Sequence, residues 1–543
     1  MSESTVETSA NAQAAETADV VVVGAGFAGM YMLHRLRGLG LRTVVFEAGD
    51  DVGGTWYWNR YPGARVDVEC INYSFSFSPE LEQDYPWAER YAPQPEILKY
   101  ARYVADRFKL RRDIRFETRV TRARYDEASK TWHVKTDRGD DITARYVVMA
   151  TGCLSASKMP ELPGTETFRG QSYHTAHWPH EGVDFTGLRV GVIGTGSSGV
   201  QSIPVIAGQA ADLTVFQRTP AYSLPARNRP LRPGELEGVQ AQYGEWRAAQ
   251  RKSGFGVATP TPTKSALEVS DEELNETLEA AWESGSLTNL LTCYTDTAVS
   301  QEANDRVRGF IHDKIKQIVK DPQTAQDLCP TYPVGTKRPC LDTSYFETYN
   351  RDTVHLVNLR RTPLVEVTER GIRTSDREYE FDAIVYATGF DAMTGSLTRV
   401  DIRGKDGVSL KDEWQAGPRT YLGIASAGFP NLFMITGPGS PSVLTNMMMS
   451  IEQHVDWVTD AIGHLNEAGL NAIEPTRQAQ DAWVDHVNEI ASYTLFPKAN
   501  SWYMGANVPG KPQVFLPYIG GCGVYRDRCN EVAANDYEGF KLA

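Results

Sequence analysis

Two glycine-rich turns in this chain have the spacing of dinucleotide-binding sites. The first, GAGFAG at residues 24–29, follows four consecutive valines and precedes a run of helix-forming residues. In such a turn Gly24 permits the tight bend, Gly26 lets the backbone approach a pyrophosphate, and Gly29 lets helix and strand pack closely. Glu47 lies about twenty residues further on, where a carboxylate accepts hydrogen bonds from a ribose diol.

The second turn, GTGSSG, repeats this arrangement with a cation in place of the acid. Gly194, Gly196 and Gly199 follow an apolar strand, and the next predicted strand ends on Arg218. A guanidinium there can bind a ribose 2′-phosphate bidentately, whereas a carboxylate would repel it. We therefore assign FAD to the first turn and NADP to the second. The alternative for Arg218 is a solvated strand end.

The segment 51–67 has a density of glycines and aromatic residues that is unusual for a loop. One interpretation is a cluster of aromatic side chains that fills the core. The other is a cradle for a flavin, in which Gly54 allows close backbone approach and Trp56 or Trp58 lies against the isoalloxazine. Asp67 would then be the charged residue nearest the ring.

A short basic loop at residues 335–339 also indicates chemistry. Lys337 and Arg338 are adjacent cations in a chain with 55 basic and 69 acidic residues. Such a pair favours a phosphate or an anionic reaction intermediate. A solvated turn is the alternative that the sequence leaves open.

The elements around these residues predict an α/β protein with two Rossmann-like dinucleotide-binding domains and a helical insertion. ATG sequences at 150–152 and 387–389 each follow an apolar strand and mark the two crossings between the domains. The predicted units are a disordered leader (1–17), an FAD-binding domain (18–150 and 390–543), an NADP-binding domain (151–231 and 332–389) and the helical insertion (232–331).

Composition narrows the class of partner. A net charge of −14 argues against a general nucleic-acid or anionic-membrane surface and favours a small molecule. Seven cysteines without a C-x-x-C pair, and a polar start without a signal-peptide pattern, predict a reducing, cytoplasmic location. No apolar run approaches the roughly 20 residues of a membrane span, and the histidines show no metal-ligand spacing.

The segment that leads into the second turn carries a family fingerprint. It reads F-x-G-x-x-x-H-x-x-x-W-P, formed by Phe168, Gly170, His174, Trp178 and Pro179. With this fingerprint the chain resembles the Baeyer-Villiger monooxygenases, a branch of the class B flavin monooxygenases, and is similar to the phenylacetone and steroid types. The branches that oxidise nitrogen or sulfur end the fingerprint with Phe or Tyr instead of Trp-Pro.

The resemblance implies two sets of cofactor contacts in addition to the glycines of the two turns. For FAD the implied residues are Glu47, Thr55, Trp56, Asp67, Tyr73, Val120 and Met447. For NADP they are Thr195, Ser197, Ser198, Gln201, Arg218, Thr219, Lys337 and, in a mobile C-terminal loop, Trp502.

The resemblance also implies a mechanism in which NADPH reduces FAD and the reduced flavin forms a C4a-peroxide with O2. The peroxide attacks a ketone carbonyl, and migration of a carbon group in the tetrahedral adduct gives an ester or lactone. Arg338 would stabilise the anions, Asp67 would orient Arg338, and His174 would couple domain movements. The Ser442-Val443 segment resembles an active-site bulge that favours bulky or aryl ketones.

Three other functions fit the sequence less well than ketone oxidation. A heteroatom-oxidising monooxygenase is disfavoured by the Trp-Pro ending and by Arg338. A flavin disulfide reductase is disfavoured by the missing C-x-x-C, and a non-enzymatic NADPH sensor has no use for Arg338 and Asp67. The natural ketone and the oligomeric state stay open, with a monomer compatible with the sequence.

Overall fold

A computed structural model describes residues 16–543. Its larger sheet has eight strands. The central strand Glu16–Val23 runs parallel to both of its neighbours, and Val20, Val21 and Val22 are fully buried, as expected for a strand covered on both faces. Seven of the strands follow the order Asp401–Arg403, Val120–Asp126, Thr131–Thr136, Asp141–Met149, Glu16–Val23, Thr43–Phe46 and Ile114–Arg115, and Leu432–Met434 pairs with Asp141–Met149.

The second sheet has five strands that all run parallel. The second glycine turn directly follows the strand Arg189–Ile193 and so lies at its carboxyl end, where nucleotides bind in such sheets. The order is Val354–Asn358, Asp212–Gln217, Arg189–Ile193, Ala383–Tyr386 and Gln171–His174.

The other strands form three small sheets, and helices cover both large sheets. The small sheets pair Ser223–Pro225 with Cys340–Asp342, Leu364–Val367 with Gly371–Thr374 and Glu378–Glu380, and Ile473–Pro475 with Phe540–Leu542. The α-helices are Phe27–Gly38, Thr55–Trp58, Pro79–Asp84, Gln94–Arg107, Ser197–Ala207, Glu235–Gln240, Tyr243–Lys252, Asp271–Ser284, Leu287–Leu291, Gln301–Ile318, Pro322–Leu328, Tyr345–Thr348, Gly395–Thr398, Leu410–Glu413, Met447–Glu467, Arg477–Ser492 and Cys522–Ala534.

The segment between the two halves of the second sheet is helical, as its sequence predicts. The helix Asp271–Ser284 begins at Ser270, whose hydroxyl accepts the N–H of Glu273 at 3.2 Å, the N-cap arrangement typical of serine. Over residues 16–543, no helix is both long and apolar enough to span a membrane.

The residue types at positions 116–123 predict a strand there, whereas the structure has the strand at Val120–Asp126. The cause is Glu117, which has a φ of 51°. Its N–H donates to the Gly49 carbonyl at 2.7 Å, and the Thr118 N–H donates to the Glu47 carbonyl at 2.8 Å. Contacts with a distant part of the chain thus replace the extended conformation that local residue preference favours.

Two other expectations concern element boundaries: the apolar spacing of residues 304–319 predicts a helix that Asp321-Pro322 ends, and the leader is predicted to span residues 1–17. The helix Gln301–Ile318 ends before Pro322, which opens the helix Pro322–Leu328 with Asp321 as its N-cap, because proline fits the first turn of a helix. The predicted leader lies outside the described residues except for Glu16 and Thr17, which belong to the first strand.

Close packing of the first glycine turn explains why it tolerates no side chain. A Cβ on Gly29 would lie 1.8 Å from the carbonyl oxygen of Gly24, and Gly24 itself has a φ of 103°. Gly38, at the end of the same helix, faces open space. The two helical glycines therefore provide a matched pair for a stability test.

We expect Gly29→Ala to lower the melting temperature and the bound FAD content, because its methyl group forces helix and strand apart at a cost of about 1–3 kcal/mol. Gly38→Ala should be neutral or stabilising by up to about 1 kcal/mol through its higher helix propensity. Thermal unfolding and flavin absorbance of the purified variants measure both effects. Equal behaviour of the two variants would contradict the packing argument.

Candidate active site

The first cradle is the start of the helix Phe27–Gly38, which begins at Gly26 without a side-chain cap. Its first backbone N–H groups are therefore available to an anion. Gly54, with a φ of 53°, lies against this turn, and a Cβ added to it would lie 2.8 Å from the Cα of Gly26. A groove lined by backbone at this point fits a pyrophosphate.

Glu47 lies at the end of the second strand of this unit, as predicted, but it already has backbone partners. Its carboxylate accepts the N–H groups of Ala25 at 2.7 Å and Gly49 at 2.8 Å. The residue is 5% exposed, and burial raises its pKa despite these hydrogen bonds. Glu47 thus holds the glycine turn in place, and its contact with a ribose stays a prediction.

The aromatic segment contributes to the core and also borders the cradle. Trp56 is 9% exposed and donates its indole N–H to the Tyr73 hydroxyl at 3.2 Å. Trp58 instead faces His177 of the connecting segment, with ring centroids 6.5 Å apart. Thr55, which opens the short helix Thr55–Trp58, is exposed. The structure therefore gives Trp56 and Trp58 different neighbours, whereas the sequence alone did not distinguish between them.

Val120 and Met447 occupy the starts of two elements. Val120 begins a strand and is 4% exposed, with its side chain in the core behind the larger sheet. Met447 is the first residue of the helix Met447–Glu467 and is partly buried. Their contacts with a flavin stay predictions.

The second cradle repeats the first. The helix Ser197–Ala207 begins at Gly196 without a side-chain cap, and a Cβ on Gly199 would lie 2.3 Å from the Gly194 carbonyl oxygen. The Thr195 hydroxyl donates to the Thr219 carbonyl at 3.0 Å and so closes the turn. This cradle also fits a pyrophosphate.

Three polar residues of this helix link the second cradle to other parts of the site. Gln201 donates to the Arg65 carbonyl at 3.0 Å and accepts from the Tyr61 hydroxyl at 2.9 Å, so the second cradle binds the loop that ends in Asp67. Ser197 accepts from the Cys340 thiol at 3.4 Å, and Ser198 hydrogen-bonds Tyr61.

A group of cations lies beside the second cradle. Burial, together with the charges of Arg218 and Arg360, lowers the pKa of Lys337 to about 8. Arg218 is exposed, and no residue between 16 and 543 forms an ion pair with it. Arg360 follows the neighbouring strand Val354–Asn358 and was not predicted from the sequence. Clustered cations without acidic partners fit a phosphate.

Arg338 and Asp67 form a bidentate ion pair between the two cradles. The guanidinium Nε lies 2.7 Å from one carboxylate oxygen and a terminal nitrogen lies 2.8 Å from the other. The third nitrogen donates to the Val443 carbonyl at 2.6 Å. Burial lowers the pKa of Arg338, but the charge and hydrogen bonds of Asp67 outweigh burial and raise it above the ordinary value.

The C-terminal segment adds a residue that the sequence analysis missed. Tyr503 is 2% exposed and lies close enough to Arg338 for the guanidinium charge to act on the pKa of its hydroxyl. Burial raises the pKa of Tyr503 to about 12, so the phenol is neutral. Trp502, which the resemblance singled out, packs against Tyr503 with ring centroids 4.2 Å apart and the ring planes tilted by 44°. The only sequence feature that could have indicated Tyr503 is its position next to Trp502.

The predicted bulge contributes to the wall of the same site. Ser442 is fully buried, with a φ of 43°, and its hydroxyl lies 3.0 Å from the Cys153 thiol. The next residue supplies the carbonyl that binds Arg338. Conformational strain at a position beside the guanidinium is typical of functional sites.

His174 lies where the two crossings meet. Its Nδ1 accepts the N–H of Ala176 at 3.0 Å, so its Nε2 donates to the Lys158 carbonyl and the Thr388 hydroxyl, both at 3.2 Å. Burial lowers its pKa. A neutral imidazole with both nitrogens engaged supports a linking role rather than acid–base chemistry.

Comparison with known proteins places these features in a family. Residues 21–242, which include both glycine turns, match the model of the pyridine nucleotide-disulphide oxidoreductases. A Baeyer-Villiger monooxygenase of Pseudooceanicola batsensis is 44% identical over 96% of this chain and 95% of its own. The phenazine N-monooxygenase PhzNO1 of Lysobacter antibioticus is 43% identical over 96% of this chain and 97% of its own.

Solved structures agree with the fold. An oxidised steroid monooxygenase bound to NADP is 53% identical, with a TM-score of 0.93 over 97% of this chain and 99% of that one. The OTEMO complex with FAD and NADP is 40% identical, with a TM-score of 0.94 over 97% of this chain and 100% of that one. These similarities confirm the predicted pair of dinucleotide-binding domains.

The exposed position of Arg218 leads to a test of cofactor preference. We expect Arg218→Ala to raise the KM for NADPH about 10- to 100-fold, the effect of losing a charged hydrogen bond, and to leave the KM for NADH unchanged. Arg169→Ala, which removes an arginine that is 76% exposed elsewhere in the second domain, is the control. An unchanged preference would remove Arg218 from the phosphate site.

The lowered pKa of Lys337 predicts a pH dependence. With a pKa of about 8, Lys337 is cationic at pH 7 and neutral at pH 9, so the dissociation constant of 2′,5′-ADP should rise about tenfold between these pH values. Calorimetric titration measures it. Lys337→Met should bind more weakly at pH 7 and lose the pH dependence, and the same slope in both proteins would contradict the assignment.

Proposed function

The chain belongs to the Baeyer-Villiger monooxygenases, and from this premise we propose that it uses NADPH and O2 to convert ketones to esters or lactones. The reaction consumes ketone, O2, NADPH and a proton, and it yields ester, NADP+ and water. The observation that carries the proposal is the bidentate Arg338–Asp67 pair between two dinucleotide cradles.

The first cradle holds FAD and the second holds NADP in this proposal. Two uncapped helix starts and the cations around Lys337 support the assignment, as do the NADP and FAD in the solved relatives. When bound and reduced, FAD would supply the electrons that activate O2. The protein supplies position, charge and protection from water.

Arg338 is the proposed catalytic residue because its charge is permanent under working conditions. A guanidinium keeps its proton, and the contact with Asp67 strengthens this. Attack on a ketone carbonyl places negative charge on the carbonyl oxygen, and a fixed donor at that point lowers the barrier. Asp67 and the Val443 carbonyl hold three guanidinium nitrogens and so set its plane.

The C-terminal segment covers the guanidinium. Tyr503 is buried against it, and Trp502 lies beside Tyr503. Exclusion of water strengthens the charge effects within the site and limits side reactions. Retained NADP+ would extend this cover on the side of the second cradle.

The bulge at Ser442 and Val443 supports bulky, aryl, cyclic or steroid-like ketones as the substrate class. Oxidation of nitrogen or sulfur is the second candidate, and the similarity to a phenazine N-monooxygenase favours it enough to be tested in parallel. NADPH consumption with a panel of ketones, phenazines and sulfides, followed by product masses, separates the two. Consumption without an oxygenated product would contradict both.

We expect Arg338→Ala to lower the rate of ester formation by about 100- to 1,000-fold, the effect of removing an oxyanion donor. Anaerobic reduction of bound FAD by NADPH should change little, because that step precedes attack on the ketone. Arg338→Lys keeps the charge but loses the bidentate contact, so its rate of ester formation should lie between those of the wild type and Arg338→Ala. Ester formation at the wild-type rate in Arg338→Ala would contradict the proposed catalytic role of Arg338.

A further inference from the structure

Residues 501–511, called the C-terminal loop below, are fastened at their far end by two side chains. Lys511 donates from Nζ to a carboxylate oxygen of Asp391 at 2.7 Å and to the Ala392 carbonyl at 2.9 Å. Asn507 donates to the Phe390 carbonyl at 2.7 Å. The side chains of Lys511 and Asp391 are only 11% and 24% exposed, so this ion pair is more shielded than a surface pair.

The loop is attached to both crossings between the domains. Residues 390–392 directly follow the second ATG sequence. Lys158, from the first crossing, donates to the Asn507 carbonyl. The carbonyl of the same Lys158 accepts from Thr388 at 2.7 Å and from His174. The closed loop therefore requires the two crossings to lie side by side, as they do here.

The near end of the loop positions Tyr503 beside Arg338. The Tyr503 ring packs on Phe496 with centroids 5.6 Å apart, and its carbonyl accepts the Leu516 N–H at 2.8 Å. Gly505, with a φ of 71°, turns the chain back so that a Cβ there would lie 2.7 Å from the Pro512 carbonyl oxygen. The loop is thus a compact unit fixed at two ends.

We propose that Lys511 and Asp391 are positioning residues for the oxygenation step. Their ion pair holds the C-terminal loop closed, keeps Tyr503 against Arg338, and makes closure depend on the relative position of the two crossings. This inference rests on the proposed function. Neither residue contacts the guanidinium, so both act through the loop.

The consequence is measurable as coupling between NADPH and product. In the productive reaction one oxygen atom enters the ketone and the other leaves as water. When the site is not closed, the hydride of NADPH and a proton reduce O2 to H2O2 instead, and the ketone is recovered unchanged. The ratio of ester formed to NADPH consumed therefore reports on closure.

The test uses FAD-loaded enzyme with excess NADPH and a ketone that the wild type oxidises. We expect Lys511→Met to lower the ratio of ester to NADPH about three- to tenfold, with a matching rise in H2O2. This is less than the full effect of a lost charged hydrogen bond, because Asn507 and Lys158 still hold the loop. Asp391→Asn should do the same. Anaerobic flavin reduction and the melting temperature should stay close to wild type.

Two variants control for the loss of a lysine. Lys498→Met removes an exposed lysine shortly before the same loop and should keep the wild-type ratio. Lys511→Arg retains the charge and should restore most of the coupling. A wild-type ratio in Lys511→Met, or an equal loss in Lys498→Met, would overturn the proposal.

A second measurement does not depend on catalysis. Hydrogen exchange of the peptide that spans residues 501–511, measured in the holoenzyme with NADP+, should be faster in Lys511→Met than in Lys498→Met. If the wild type forms no oxygenated product, the proposed function fails while this comparison still tests the fastening. Equal exchange in the two variants would show that the Lys511–Asp391 ion pair does not hold the C-terminal loop.

Discussion

The structure depends on one ion pair whose partners are 271 residues apart in the chain. Asp67 ends the aromatic segment that follows the first glycine turn, and Arg338 lies on the loop before Cys340, whose thiol hydrogen-bonds Ser197 of the second cradle. The two side chains are 27% and 28% exposed, so separation would leave two poorly solvated charges. Formation of the pair therefore favours the arrangement in which both cradles face one site.

Hydrogen bonds between the two crossings stabilise that arrangement. His174 and Thr388 both bond the carbonyl of Lys158, so the two crossings are joined to each other as well as to the domains. Gln201 extends the connection from the second cradle to the loop before Asp67. One continuous set of contacts thus links the two cradles, the two crossings and the guanidinium of Arg338.

Most of the fold follows from local sequence because glycine turns and buried valines restrict the backbone directly. Prediction was wrong where tertiary contacts overrule local preference, as at Glu117, whose positive φ depends on hydrogen bonds to a distant loop. In the site, the residue pattern singled out Arg338 and Asp67, and the resemblance supplied their pairing and their roles. Tyr503 and Arg360 were missed, because their approach to Arg338 and Lys337 depends on chain segments that are far apart in sequence.

The facing pair of Gly26 and Gly54 has a consequence for how the molecule can change. A Cβ on Gly54 would lie 2.8 Å from the Gly26 Cα, whereas a Cβ on Gly26 would lie 3.4 Å from the Gly54 Cα, which is an ordinary contact distance. The restriction therefore falls on Gly54. Gly196, the counterpart of Gly26 in the second cradle, has no atom within 4 Å of its missing Cβ. The first cradle thus depends on a glycine from a separate loop, Gly54, to keep its backbone groove open, whereas no other chain segment between residues 16 and 543 approaches the second cradle at Gly196.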